Sequence, residues 1–344
     1  MRYQTTLLVL VALFVLLTAL FYFGSPQQTD LQTDLQTDSQ ADKQASSQAD
    51  KQASSQADKQ ASSQTDKQAD PQTDEQTNVT VLMKDGTVST MTMAEYLPGA
   101  VAAEMPALFD PSALKAQAVA ARTFVLSRTG AHGNADVCTD SACCLGWRSQ
   151  EELKALWGDS FDQYWDKICT ACKETDGQVL TYEGNLAQAA FHASSAGVTE
   201  DSGAIWSEVP YLVSVESPET ANLVPNYVTT VSFACSIFAE TLGLKDTGDP
   251  ALWVETISRD PTGRVAKASI QGKTFTGTEL RAAFGLRSTA FTLTWDGDNF
   301  VFTVTGSGHG IGMSQYGAQA YALQGWTYDK ILAHYYPGTQ LTQS

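Results

Sequence analysis

One carboxyl group has the setting of a candidate acid catalyst. Between residues 93 and 105 the apolar residues recur at helical spacing, and Glu104 falls inside the apolar arc that they form. The arc consists of Leu97, Ala100, Val101 and Met105. Pro106 disfavours a helical conformation at the residue before it, so we expect the helix to end there with Glu104 in its last turn.

Burial and a helix C-terminus both disfavour the ionised form of a carboxyl group. This combination keeps such a group protonated enough to act as a general acid. The alternative for Glu104 is a buried carboxylate that is paired with an arginine. Glu95 lies on the opposite side of the same helix, and with Thr92 it forms the pattern of a capping box, which indicates a structural role.

A second helix should follow, with Asp110 as its N-cap and Pro111 in its first position. Arg122 and Gln117 flank the buried stripe of this helix on opposite sides, close enough to the core to orient a carboxylate. For Arg122 the alternative is a surface side chain with a packed stem and a solvated head. The buried stripe itself comprises Leu114, Ala118, Ala121 and Val125.

A turn-rich segment over residues 131–147 holds a candidate metal site. His132, Cys138 and Cys144 follow one another at even spacing, and imidazole plus thiolates is the donor set that zinc prefers. Three ligands would leave a fourth position for water, another side chain or substrate. Cys143 is an alternative to Cys144, since adjacent cysteines rarely serve one ion together. A disulfide between Cys138 and Cys144 is the competing interpretation.

Two segments rich in small residues are candidate ligand-binding loops. Residues 187–199 carry Ser194 and Ser195, and residues 306–318 carry His309, Gln315 and Tyr316. Together with Gln117 these are the predicted substrate-binding residues. The chain has no G-x-S-x-G elbow, so a serine nucleophile beside His192 is only weakly indicated. For His309 the alternative is a loop histidine held by a backbone carbonyl.

The surrounding pattern predicts a mixed α+β fold, a single globular domain with a cleft and an inserted β-rich subdomain. Residues 78–88 read as a β-hairpin that turns at Asp85 and Gly86, and residues 177–182, 211–215 and 300–305 read as strands. One amphipathic helix is expected over residues 151–172. The polar, turn-rich stretch from about 217 to 293 is the expected subdomain.

The N-terminal quarter differs in composition. Residues 6–23 are almost continuously apolar and follow Arg2, which predicts a membrane anchor over residues 1–24 with the body outside the cytoplasm. A cleaved signal peptide is the alternative. Residues 25–78 repeat the octapeptide ADKQASSQ and are expected to form a disordered acidic stalk. The net charge of −17 argues against a nucleic-acid partner.

Several long motifs together resemble one family. They are EYLPGAVAAEMP with LKAQAVAARTF, the H-x5-C-x5-C spacing, FHASSAGVT, PYLVSV and GHGIGMSQYGAQAYALQGWTYDKILAHYYPGT. These motifs resemble the stage II sporulation protein D family of peptidoglycan lytic transglycosylases. The resemblance covers residues 79–339, which are nearly all of the predicted catalytic domain at 79–344.

The resemblance implies specific roles. Glu104 would be the catalytic acid and base, with Arg122 and Tyr211 in supporting positions, and His132, Cys138 and Cys144 match the zinc ligands of some members. Val213 replaces a basic residue that is common in the family. The implied setting is peptidoglycan thinning during engulfment of the forespore, with glycan strands as substrate and other wall hydrolases as partners.

The chemistry agrees with a single acidic residue. In a lytic transglycosylase the nucleophile is the 6-hydroxyl of the sugar itself, so one carboxyl group can serve as acid and then as base. No second acidic residue accompanies the E-M-P motif. A non-catalytic wall-binding module that stimulates an amidase is the alternative from another class, and a zinc-dependent hydrolase is a third.

Overall fold

The described chain, residues 73–141 and 143–344 of a computed structural model, opens with the predicted β-hairpin. Strand β1 (Asn78–Leu82) pairs antiparallel with β2 (Val88–Thr92). Gly86 in the turn has a φ of +85°, a conformation that glycine adopts without strain. A short strand, β3 (Val137–Cys138), joins the other edge of β1 in parallel.

The two predicted helices follow the hairpin. Helix α1 (Met93–Glu104) begins with the capping box between Thr92 and Glu95, and it ends where Met105 turns extended before Pro106. Pro98 lies inside α1 without ending it. Helix α2 (Pro111–Leu126) begins at Asp110, whose carboxylate accepts from the Ser112 N–H at 2.8 Å. The predicted caps and the predicted end of α1 are confirmed.

The next segment differs from the prediction of one helix over residues 151–172. Helix α3 (Gln150–Trp157) and helix α4 (Phe161–Lys173) are separated by a 3-10 turn over Gly158–Ser160. Gly158 has a φ of +51°, so it ends α3 in a conformation that the continuous helix could not contain. The prediction of a single helix was therefore wrong.

Helix α2 lies at the centre of the main core and is buried on nearly all sides. Against it pack α1, α4, helix α8 (Gln315–Leu323) and helix α9 (Tyr328–Tyr335). Alanine makes up much of α2, and its small side chain allows neighbouring helices to approach closely. The main core also includes the sheet β14–β4–β5, formed by β4 (Gln178–Tyr182), β5 (Asn185–Leu186) and β14 (Gln340–Gln343).

Two short strands bring the predicted ligand-binding loops together. Strand β6 (Phe191–His192) pairs in parallel with β13 (Met313–Ser314). A four-residue helix, α5 (Ser202–Ile205), follows β6. Residues 211–215, predicted as a strand, have irregular structure. Their backbone is instead held by loop contacts such as the hydrogen bond from the Thr199 N–H to the Val215 carbonyl, so that prediction was wrong.

The inserted subdomain has its own hydrophobic core, in which Phe238 stacks on Phe300 with ring centroids 4.0 Å apart. Its elements are β7 (Val228–Ala234), α6 (Cys235–Leu242), a 3-10 turn (Pro250–Leu252), β8 (Val254–Arg259), β9 (Val265–Ile270), β10 (Lys273–Thr276), α7 (Gly277–Phe284), β11 (Phe291–Trp295) and β12 (Asn299–Thr305). One sheet has the order β10–β9–β8 and the other β11–β12–β7. Since β12 pairs with β7 along its whole length, the subdomain extends past its predicted end near residue 293.

The first and last described residues meet at one turn. The Asp74 N–H donates to the Asp176 carboxylate at 2.7 Å, and the Ser344 N–H donates to the Gly177 carbonyl at 2.8 Å. Asp74 is buried, so the folded unit includes a residue that the sequence assigned to the stalk. The predicted anchor and the rest of the stalk lie outside the described residues. Within residues 73–141 and 143–344, no helix has the length and apolar character needed to span a membrane.

Candidate functional site

Glu104 is the last residue of α1, and its side chain is half-buried. The backbone N–H of Gly146 donates to its Oε1 at 2.7 Å. A donor at this distance stabilises the ionised carboxylate, which opposes the effect of the helix C-terminus. The role of Glu104 as an acid and base stays a prediction of the resemblance.

Gly146 reaches Glu104 because it has no side chain. A Cβ at this position would lie 3.2 Å from Glu104 Oε1 and 3.3 Å from the Cβ of Ala103. The following residues fasten the same loop to α1, since Trp147 Nε1 donates to the Tyr96 carbonyl at 3.1 Å. No local sequence pattern identifies Gly146, because its N–H meets a carboxylate 42 residues away.

The predicted metal ligands converge, and Cys143 joins them. The donor atoms of His132, Cys138, Cys143 and Cys144 all lie within 4.8 Å of one another. His132 Nε2 is 3.1 Å from Cys144 Sγ and 3.8 Å from Cys143 Sγ. The structure therefore brings both adjacent cysteines to one cluster, where Cys143 was expected only as an alternative to Cys144. Cys138 and Cys144 are both free thiols, so the alternative disulfide between them is not formed.

The electrostatics of this cluster favour one thiolate. Hydrogen bonds from Cys138 and then from Cys143 lower the pKa of Cys144 to about 3. The same contacts raise the pKa of Cys143, because its proton is shared with the neighbouring sulfur atoms. One thiolate, two further thiols and an imidazole form a soft donor set that fits zinc.

Arg122 is fully buried, so the interpretation as a solvated surface residue was wrong. Its guanidinium binds the Asp74 carboxylate through two hydrogen bonds of 2.6 Å each. Further bonds run to the carbonyls of Gln178 at 3.0 Å and Cys172 at 3.2 Å. These contacts tie three segments together, and a supporting role beside Glu104 stays a prediction of the resemblance.

Helix α8 connects the glycine-rich loop with the region around Glu104. Gln315 Nε2 lies 3.4 Å from Gln117 Oε1, and both side chains are buried. Tyr316 packs edge-on against Phe109, with ring centroids 4.9 Å apart, and the Asp110 N–H donates to Gln319 Oε1 at 2.7 Å. The structure thus places Gln315 against Gln117 of α2, and Tyr316 against the loop that follows Glu104. Their contact with substrate stays a prediction.

The two small-residue loops form a second polar cluster. Ser194 exchanges backbone hydrogen bonds with Ser307, and Ser195 Oγ lies 2.7 Å from His192 Nε2. The ring centroid of His309 lies 5.6 Å from that of His192 and 5.0 Å from that of Trp206. Ser195 is fully buried, which agrees with the weak indication of a serine nucleophile.

His309 is neutral at ordinary pH. Burial, followed by the charge of Arg281, lowers the pKa of His309 to about 3. Its Nδ1 accepts from the Ile311 N–H at 3.1 Å, so the ring is held by the backbone of its own loop. A backbone hydrogen bond to Phe191 also holds the ring and opposes the fall in the pKa of His309, so the alternative of a loop histidine held by a backbone carbonyl is met.

Tyr211 is buried beside β4. Its hydroxyl accepts from the Gln188 N–H at 2.7 Å, and its ring lies 4.8 Å from that of Tyr182. Burial raises the pKa of Tyr211, so the phenol stays protonated. Its predicted supporting role in catalysis stays a prediction.

Two buried carboxylates near the glycine-rich loop were missed from sequence. Glu200 lies 3.4 Å from Arg264 of the subdomain, in an offset ion pair, and burial raises the pKa of Glu200 to about 7. Glu219 accepts from the Ser195 N–H and from Ser314 Oγ. Their partners come from distant parts of the chain, so no spacing pattern marks them.

Comparison with known proteins supports a family relationship over most of the folded part. A family model described as stage II sporulation protein matches residues 83–182, the range that holds Glu104, Arg122 and the four metal-donor residues. Stage II sporulation protein D of Bacillus subtilis (strain 168) is 39% identical over 264 residues, which cover 75% of this chain and 76% of that protein.

Two further relatives extend the comparison. Stage II sporulation protein D of Bacillus amyloliquefaciens is 38% identical over 264 residues, with 75% of this chain and 76% of that protein covered. A protein named amidase enhancer from Bacillus subtilis (strain 168) is 29% identical over 307 residues. That match covers 72% of this chain but only 40% of the enhancer.

Proposed function

Because the chain belongs to the stage II sporulation protein D family, we propose that it is a lytic transglycosylase acting on peptidoglycan during sporulation. The substrate would be the β-1,4 bond between N-acetylmuramic acid and N-acetylglucosamine, and the product would carry a 1,6-anhydro ring. The observation that carries this proposal is the placement of Glu104, a half-buried carboxyl group at a helix end with a backbone N–H on Oε1.

In the proposed reaction Glu104 acts twice. It first donates a proton to the glycosidic oxygen, which leaves as a hydroxyl group. The resulting carboxylate, stabilised by the Gly146 N–H, then accepts the proton of the 6-hydroxyl as that oxygen attacks the anomeric carbon. The hydroxyl belongs to the same sugar, so it has a proximity advantage over water.

The four-donor cluster would hold zinc. His132, Cys138 and Cys144 are the ligands that the resemblance implies, and their donor atoms converge in the structure. When bound, the ion would supply structural cross-linking of the loop that carries Gly146. The proton transfers involve Glu104 alone, so no chemical step is assigned to the metal.

The proposed setting follows from the N-terminal sequence. The apolar run at residues 6–23 would anchor the chain as a single-pass protein in the cell membrane, and the acidic stalk would hold the catalytic domain on the outer side. Glycan strands would be its partner there, with other wall hydrolases of the engulfment machinery acting on the same wall. A net charge of −17 suits recognition by hydrogen bonds better than recognition of an anionic polymer by charge.

The test replaces Glu104 with Gln, which preserves size and removes the titrating proton. We expect the release of anhydro-muropeptides from purified peptidoglycan to fall at least about 100-fold, as measured by mass spectrometry, because the general acid is lost. Glu240→Gln, at an exposed position of the subdomain, is the matched control and should retain activity. Unchanged product release by the Glu104→Gln variant would refute the proposal.

The amidase enhancer relative supports a second candidate function, a non-catalytic wall-binding module that stimulates an amidase. The wild-type chain would then bind glycan strands and raise the rate of a separate amidase while releasing no anhydro product itself. Mass spectrometry of the same digests separates the two candidates, since only the transglycosylase produces anhydro ends in the absence of an amidase.

A further inference from the structure

The cluster around His132 contains one donor more than the resemblance requires. Four protein donors converge there, and Cys143 is the additional one. In a tetrahedral zinc site with bonds of roughly 2.0 to 2.3 Å, neighbouring donor atoms are separated by about 3.6 to 3.8 Å. The distance of 3.8 Å from His132 Nε2 to Cys143 Sγ matches that separation, the distance of 3.1 Å to Cys144 Sγ is shorter, and all four donor atoms lie within 4.8 Å of one another. The geometry therefore suits four ligands around a single ion.

The local turn explains how adjacent cysteines can share one site. The N–H groups of Cys143 and Cys144 both donate to the carbonyl of Asp140, at 3.0 and 2.8 Å. This tight turn wraps the chain around the cluster and brings both side chains to the side on which Cys138 and His132 lie. The sequence spacing alone does not show this turn.

The number of protein ligands decides what a zinc site does. Structural sites are closed by four protein ligands, whereas catalytic sites keep an open position for water or substrate. We propose that Cys143 is the fourth ligand, so that the site is closed and its metal holds the loop 138–147 instead of meeting the substrate. This inference rests on the proposed zinc site and is independent of the proposed lytic activity.

A closed site would act on Glu104 through the backbone. Gly146, whose N–H binds Glu104 Oε1, lies two residues after the ligand Cys144. The other end of this loop is fastened to α1 by Trp147 and by the Arg148 N–H, which donates to the Gly99 carbonyl at 3.3 Å. The metal and α1 would thus hold the Gly146 N–H from both sides. Cys143 would then act on Glu104 only through this loop, as a positioning residue.

Zinc affinity provides the first test. The purified full chain should bind one zinc ion, as measured by competition with a chromophoric chelator. Cys143→Ala should weaken binding at least about 10- to 100-fold, the loss that removal of even an outer-shell partner causes. Cys235→Ala, a half-buried cysteine of the subdomain, is the matched control and should bind as wild type does. Equal affinity of the Cys143→Ala and wild-type chains would overturn the inference.

Cobalt replacement tests the closed site without any variant. The absorption spectrum of the wild-type chain loaded with Co²⁺ should show thiolate-to-metal charge transfer in a tetrahedral site and should not change when azide is added. An open position would bind azide and shift the spectrum, and that result would overturn the inference. In Cys143→Ala the charge-transfer intensity should fall and azide should become able to bind.

Hydrogen exchange tests the link to Glu104. The Gly146 amide should be protected in the zinc-loaded chain, and it should exchange faster after zinc removal and in the Glu104→Gln variant. The Leu180 amide, which donates to Thr123 Oγ1 inside the main core, is the internal control and should keep its protection on zinc removal. Full protection of Gly146 in the metal-free, folded chain would show that the metal does not position the loop.

Discussion

Arg122 and Arg264 are the two largest side chains that the described residues bury completely, and each has a carboxylate partner. The first pair, Arg122 with Asp74, is bidentate, whereas the second, Arg264 with Glu200, is offset. A buried charge is tolerated only with such compensation. At the residue scale, stability therefore depends on keeping both members of each pair.

The Asp74 pair yields a stability prediction. Asp74→Ala leaves the Arg122 guanidinium buried without its carboxylate, so we expect the free energy of unfolding to fall by about 3 to 5 kcal/mol. Glu174→Ala, which breaks the more exposed pair with Lys115, should cost no more than about 1 kcal/mol. Denaturant titration measures both changes. Similar small effects for the two variants would contradict a structural role for the Asp74 pair.

Glu200 yields a prediction about pH. Burial raises the pKa of Glu200 to about 7 from its ordinary value of 4.5, so the folded state keeps a proton that the unfolded chain releases in that window. The contribution of this group therefore destabilises the fold progressively as pH rises from 4.5 to 7. In wild type this effect lowers the free energy of unfolding as pH rises, and the Glu200→Gln variant should lack that part of the decline.

Denaturant titration across that pH window provides the measurement. Glu240→Gln, at an exposed site, is the control and should show the same pH dependence as wild type. If Glu200→Gln and wild type have parallel stability curves, the carboxyl group of Glu200 does not titrate there. The comparison uses slopes, because Glu200→Gln also alters the contact with Arg264 and so shifts the absolute free energy of unfolding.

At the scale of elements, the strand pairing of β6 with β13 depends on a glycine. Gly312 has a φ of +71°, and a Cβ there would lie 2.0 Å from the carbonyl oxygen of Ala190. Two main-chain segments touch at this point, so the parallel pairing cannot accept a side chain. The glycine-rich loop is therefore shaped by close backbone contact and not only by turn geometry.

Substitution of this glycine gives the next prediction. Gly312→Ala should lower the free energy of unfolding by clearly more than the roughly 1 to 2 kcal/mol expected for a left-handed alanine, because the backbone clash adds to it. Gly325→Ala is the matched control, since Gly325 has a φ of +84° and open space around its Cβ position. Thermal and denaturant unfolding measure both, and equal losses would contradict the clash.

At the scale of the whole molecule, the described residues form two hydrophobic cores. The main core surrounds α2, and the subdomain core surrounds Phe238. Contacts between them include the Glu200 pair with Arg264 and the Gly306 N–H to the Tyr227 carbonyl. Because each core buries its own side chains, each can open without the complete loss of the other.

Hydrogen exchange tests this separation. Phe238→Ala removes a ring that stacks on Phe284 and Phe300, so it should destabilise the subdomain by about 3 to 5 kcal/mol. Amides of β7 to β12 should then exchange faster, while those of β1 and β4 should change little. Leu114→Ala in the main core should produce the opposite distribution. Uniform acceleration in both variants would indicate one cooperative unit.

Local rules predicted much of this fold. The capping box at Thr92, the end of α1 before Pro106 and the Asp110 cap each depend on residues within one turn, and the structure confirms them. Two predictions were wrong, the strand at residues 211–215 and the end of the subdomain near residue 293, because pairing between distant segments decides both. For the same reason, sequence could propose Glu104 but not its donor Gly146, and it could propose three candidate metal ligands but Cys143 only as an alternative to Cys144.

The meeting of both described ends at the turn of Asp176 and Gly177 has a mechanical consequence. A tensile load that arrives through the chain before Thr73 is transmitted first to Asp74, and from there to Arg122 and that turn. The force therefore enters next to α2. The Asp74 carbonyl also accepts from the Ala94 N–H at 3.2 Å, so part of the load reaches the first turn of helix α1, at the end opposite Glu104.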